Sequence, residues 1–274
     1  MLGILVLLAA GCCKKDGALR PVHFTLRWQD WNRSSLEALP DGTVVGIIAS
    51  DALNVPNVKA VSSDAALEPE IKLFWQSRQT EPTLFLAYMP YNPSLSGLPF
   101  DFSVREDQRE EEGYRASDFL SSTVSTSPGN TVPFILRHRL TRMTVIVTGV
   151  TDMTGKVRSV LLERVPRKGT LPDMAADFAD VTDAGPVQAG AFVEEDGRTG
   201  YSALFFPSEQ TLSFVVTTTR DRTFSYVLPS PMTFKAGEAY QTVVNLSEVP
   251  GSGGNLPFTV SVSDWADGGN IPFL

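Results

Sequence analysis

From Val22 to Trp28 apolar and polar residues alternate without a break. Val22, Phe24, Leu26 and Trp28 share one face; His23, Thr25 and Arg27 share the other. A period of two marks a strand with one buried face, because successive side chains leave a pleated backbone on opposite sides. Short apolar runs recur at 43–49, 71–75, 83–88, 157–162, 201–206, 211–218, 223–228, 240–246 and 256–262. Turn-forming groups such as Pro40-Asp41-Gly42, Glu195-Asp196-Gly197 and Lys235-Ala236-Gly237-Glu238 separate several of them. Long helical periodicity is absent, and 21 Gly and 19 Pro in 274 residues would interrupt it anyway. Many short strands at this spacing predict an all-β chain built as two β-sandwiches.

The division between them is expected at a stretch of small polar residues, 121–130, which ends in Pro128-Gly129-Asn130 and reads as a linker. That gives an N-terminal sandwich over 22–131 and a C-terminal one over 132–274. Residues 50–70 read as irregular. The charged run 105–112 reads as a solvated loop or short helix. Between 134 and 147 the alternation slips phase: Leu136, His138 and Leu140 give way to Met143, Val145 and Val147. A slip inside one run predicts a β-bulge near Thr141.

The two cysteines, Cys12 and Cys13, are adjacent and are followed by none. A disulfide framework and a CxxC zinc site are therefore ruled out. Residues 2–10 are apolar apart from Gly3. That is far short of the ~20 residues a membrane-spanning helix needs, but it has the length of a signal-peptide core. Leu8-Ala9-Ala10-Gly11-Cys12 resembles a bacterial lipobox. The resemblance implies a signal peptide over 1–11, cleavage before Cys12, a lipid on its sulfur, and a tether over 12–21. The basic region that opens such signals does not precede Leu2, so the natural start is expected further upstream.

Chemistry is sparse. Net charge is −8, the wrong sign for a sequence-independent nucleic-acid binder. No nucleophile elbow, phosphate loop, HExxH or GxGxxG occurs. Only His23 and His138 could serve a histidine-based triad, and both read as structural. No metal site, cofactor or enzyme activity is expected. Trp28, Trp31, Trp75 and Trp265 offer one alternative, a sugar-stacking platform on a carbohydrate-binding surface lipoprotein.

Five short segments, in order, resemble the fimbrillin family, the subunits of type V pili and their lipoprotein relatives. Phe85-Leu86-Ala87-Tyr88-Met89-Pro90-Tyr91 is similar to the family's F-x-A-Y-x-P-Y strand. Asp118-Phe119-Leu120, followed by Val132-Pro133-Phe134 and then 138–145, is similar to its crossing segment. Ala203-Leu204-Phe205-Phe206-Pro207, Phe234-Lys235-Ala236-Gly237-Glu238-Ala239-Tyr240 and Val262-Ser263-Asp264-Trp265-Ala266-Asp267-Gly268 match its later patterns. The resemblance implies two tandem transthyretin-like β-sandwiches. It also implies export as an outer-membrane lipoprotein and assembly with other subunits into a fimbrium at the cell surface, with adhesion to a host or bacterial surface ligand.

The family's assembly logic implies specific residues here. An arginine-specific protease removes the first strand, and a segment of another subunit fills the groove by β-augmentation. By position the cleavage candidate is the Arg33–Ser34 bond, and the released strand carries Val22, Phe24, Leu26 and Trp28. At the other end Phe258, Val260 and Val262, with Ile271 and Phe273 of the apolar tail, are candidates for a donor strand or for one that closes the second sandwich.

Overall fold

The structure, a computed structural model, describes residues 19–29, 35–50, 53–193, 197–248 and 255–262. Apart from the short helix Glu111–Ser117 and a 3-10 turn at Leu246–Glu248, its regular elements are strands.

The first half forms one sheet. Its strands run in the order Val132–His138, Leu120–Thr126, Thr83–Met89, Val44–Ala49, Val55–Ser63, Ala66–Pro69, Phe24–Gln29, Leu36–Glu37. Phe24–Gln29 also pairs with Val132–His138, so the path closes on itself. That last pairing is parallel; the others are antiparallel. Beside this sheet Arg20–Pro21 and Phe74–Trp75 form a separate two-stranded sheet.

Thr83–Met89 is buried on both faces, which explains its uninterrupted apolar sequence. Phe85 and Ala87 point into a smaller core with Phe24, Trp75 and Phe134. Leu86 and Tyr88 point the other way, into a larger core shared with the second half.

The second half holds two larger sheets. One sheet runs Gly190–Val193, Thr199–Phe205, Thr141–Thr148, Ala239–Asn245, Ser261–Val262. The other runs Ala179–Gln188, Val157–Leu171, Ser213–Thr218, Thr223–Val227, Asn255–Pro257. Met143, Val145 and Phe205 from the first sheet join Leu162, Phe214 and Val216 from the second in the larger core.

Three local expectations are corrected. Residues 121–126 are not a linker: Leu120–Thr126 lies inside the first sheet, between Thr83–Met89 and Val132–His138. Its hydroxyls are used, as Ser122 Oγ accepts from the Ile135 N–H at 3.0 Å. The phase slip at Thr141 is no bulge: Val132–His138 ends in the first sheet and Thr141–Thr148 begins in the second, so the core changes sides at the crossing. Residues 50–70 hold a hairpin, Val55–Ser63 with Ala66–Pro69, turned by Asp64 and Ala65 at φ 52° and 60°. Two consecutive left-handed residues make the tight turn a hairpin needs.

The segment after residue 99 crosses over early. Phe100–Ser103 pairs with Val157–Leu171 of the second half. Further on, the fully buried Gln108 reads the backbone of Leu204. Its Nε2 donates to the Leu204 carbonyl at 2.9 Å and its Oε1 accepts from the Leu204 N–H at 2.8 Å. Tyr114 of the helix enters the same core. Together these tie the two halves into one body.

Candidate functional site

Phe24–Gln29, here the leading strand, is held unevenly. Six residue pairs join it to Val132–His138, from Val132↔Phe24 to Arg137↔Gln29. On its other side one pair, Thr25↔Ala66, meets the hairpin, and two pairs meet Leu36–Glu37. The Leu26 N–H also donates to the Ala65 carbonyl at 2.8 Å. Upstream, Arg20–Pro21 pairs with Phe74–Trp75, and the Val22 N–H donates to the Leu73 carbonyl.

The four expected inward residues all point into the smaller core, with 1–6 % of their surface left exposed, while His23, Thr25 and Arg27 face outward. Phe24 stacks on Phe134 (centroids 5.8 Å, planes 5° apart) and meets Phe85 edge-on at 5.7 Å. Trp28 meets His138 edge-on at 5.9 Å, and His138 Nδ1 lies 2.8 Å from Asp118 Oδ1. Beyond Trp28 opens a cleft of about 720 Å³, walled among others by Leu39, Met89, Tyr91, Tyr114 and His138. Lifting the leading strand out would bare an apolar groove and leave the edge of Val132–His138 without partners, a surface ready for another strand.

Cys12, Arg33, Ser34, Ile271 and Phe273 lie outside the described residues. The remaining C-terminal candidates sit at the rim of the second half. Asn255–Pro257 pairs in parallel with Thr223–Val227 through three residues, and Ser261–Val262 pairs with Ala239–Asn245 through two. Between them Phe258 is buried and packs edge-on against Phe214 at 4.8 Å. Val262 is half exposed. The expected continuous strand is thus broken as the chain passes from the edge of one sheet to the edge of the other.

The sequence carries one further signal at this site. Val22-His-Phe-Thr-Leu-Arg-Trp-Gln-Asp-Trp31 and Leu256-Pro-Phe-Thr-Val-Ser-Val-Ser-Asp-Trp265 share Phe, Thr, Asp and Trp at the same four places and apolar residues at three more. The C-terminal segment repeats the pattern of the leading strand.

A sugar-stacking platform is not formed by Trp28 and Trp75, whose rings are buried in the smaller core; Trp31 and Trp265 lie outside the described residues. Among the described residues no group of His, Cys, Asp and Glu is placed to hold a metal ion.

Solved structures share this fold. A candidate cell adhesion protein of Bacteroides ovatus superposes with a TM-score of 0.69 at 13 % identity, over 90 % of this chain and 97 % of that one. One of Bacteroides uniformis gives 0.67 at 15 %, over 90 % and 99 %. The tip fimbrial protein Mfa3 of Porphyromonas gingivalis, truncated at its C-terminus, gives 0.51 at 10 %, over 89 % and 100 %. No curated protein sequence matches the chain significantly. The fimbrillin-like family model matches residues 37–265, and the chain belongs to that fimbrillin-like family.

Proposed function

We propose that this chain is a fimbrial subunit of the cell surface that joins its neighbours by strand exchange. In this reading it is exported as an outer-membrane lipoprotein bearing its lipid on Cys12 and is cut after Arg33. The freed leading strand departs, and the C-terminal segment of another copy takes its place. The observation that carries the reading is the uneven hold on Phe24–Gln29: six pairs on one side, one pair to the hairpin and two to Leu36–Glu37 on the other, and four apolar side chains lodged in a groove.

Physical chemistry supports each step. The backbone of Val132–His138 supplies the affinity, since every unpaired N–H and C=O at a buried edge costs free energy. Alternate pockets set the register, because a slip of one residue would turn the whole apolar set to water. The repeat at 256–265 supplies a strand of matching pattern, held at home by fewer pairs than the leading strand. Adhesion to a host or bacterial surface ligand completes the proposed role.

The test is Arg33→Ala in the native cell. The expected outcome is a longer mature chain and loss of polymers that survive mild denaturant. Unchanged mature length together with unchanged polymers would overturn the processing step.

A further inference from the structure

We propose that Trp28 is the residue that keeps the uncut chain closed, because it fills a place that the incoming strand leaves empty. The inference rests on the strand-exchange reading above. In the register of the repeat, Phe258 falls on Phe24 and Thr259 on Thr25, both identical. Further along, the incoming side chains shrink: Val260 stands for Leu26, and Val262 for Trp28.

Position 28 is where that loss matters. The Trp28 indole is buried between the groove and the large cleft, edge-on to His138, whose ring is fixed by Asp118. A valine there cannot reach His138. The space it leaves adjoins the cleft of about 720 Å³, and the indole's apolar burial and its contact with His138 are lost. The penalty of such a substitution grows with the volume left unfilled. The leading strand therefore out-competes the C-terminal segment for the groove as long as it remains attached. Once the chain is cut beyond Trp28, the strand can leave and the smaller-featured segment binds without a rival. Trp28 makes assembly conditional on processing.

The experiment uses a fluorescent peptide of residues 255–266 and the full chain, either intact or cut after Arg33 and freed of the released fragment; binding is read by anisotropy. The native peptide is expected to bind the cut chain and not the intact one. A Val262→Trp peptide is expected to bind the cut chain more than tenfold tighter. The intact Trp28→Val chain is expected to take up the native peptide, with Trp28→Phe intermediate should the valine variant melt too low. If neither peptide binds the cut chain, the C-terminal donor falls and this proposal with it. If the native peptide binds the cut chain but Val262→Trp gains nothing, Trp28 is not the discriminating residue and exchange itself stands.

Discussion

Phe24→Ala isolates the energetic role of the leading strand. The ring is almost wholly buried, stacked on Phe134 and edge-on to Phe85. Truncating a buried Phe to Ala costs about 3–5 kcal/mol, and each aromatic pair adds about 0.5–1.5 kcal/mol beyond area alone. The six-pair parallel ladder begins at Phe24, and just upstream the His23 carbonyl accepts from the Val132 N–H at 2.8 Å, so the cavity cannot close by a strand shift. The expected loss is therefore about 4 kcal/mol, a large share of the roughly 5–15 kcal/mol that holds a domain folded. Guanidinium unfolding followed by tryptophan fluorescence should show it as a lowered midpoint at unchanged slope. The same measurement on chains cut after Arg33 and stripped of the released fragment should show no difference, since residue 24 has left with the strand. A loss below about 1 kcal/mol in the intact chain would refute the packing argument. A difference that persists in the stripped chain would show that the strand never departed.

Three further substitutions or titrations probe the frame around the groove. Gln108→Ala strands the buried N–H and C=O of Leu204 and should cost at least about 2 kcal/mol, read by thermal or denaturant unfolding; a neutral result would mean that water replaces the amide. Gly46→Ala would set a methyl 2.1 Å from the Tyr88 ring, whose hydroxyl donates to Asn57, so about 1–3 kcal/mol should be lost and partly regained in a double mutant with Tyr88→Ala. Burial pushes the Tyr88 and Tyr114 hydroxyls up to about 12. Because the folded state favours the neutral phenols, their contribution is complete below pH ~10, the ordinary tyrosine value, and is lost as pH rises toward about 12. Phenolate absorbance and circular dichroism should therefore change together in that window; ionisation of both phenols near pH 10 without unfolding would contradict it.

The sequence shows most clearly what obeys a local period. The leading strand is legible because one face is wet and the other dry from Val22 to Trp28. Thr83–Met89 is legible as a strand because its residues are apolar throughout, though its burial on two faces is not. Leu120–Thr126 is hard to see because its serines and threonines mimic a linker in composition, while a hydroxyl such as Ser122 Oγ serves the backbone of the neighbouring strand. The slip at Thr141 was visible but ambiguous: a bulge and a change of sheet flip the phase alike, and only long-range pairing separates them. Nothing local to Phe100–Ser103 or Gln108 announces a partner in the second half, because those contacts join residues far apart in the chain. At the site itself, the four inward residues were readable and their partners were not. The repeat at 256–265 was present throughout, but two copies at opposite ends of a chain do not register as a period.

Under the proposed strand exchange, topology favours the leading strand over the others as the one that leaves. Every remaining strand of the first sheet's ring, from Val132–His138 through Leu120–Thr126, Thr83–Met89, Val44–Ala49 and Val55–Ser63 to Ala66–Pro69, stays linked to its neighbours when Phe24–Gln29 is removed. Withdrawing Thr83–Met89 would instead cut that series in two and bare both cores, since its side chains belong to both. The leading strand contributes to the smaller core: Val22, Phe24, Leu26 and Trp28 belong to that cluster and not to the larger one. Its loss is therefore felt at one groove, at the edge of Val132–His138, at Ala66 of the hairpin and at the short strand Leu36–Glu37, which pairs with it. The antiparallel hairpin Val55–Ser63 with Ala66–Pro69 forms between near neighbours in sequence, whereas the parallel closure must bring residue 24 to residue 132 and so closes a much longer loop. Under the proposed strand exchange, the contact that spans the most chain within this sheet is the one that a strand from another molecule would replace.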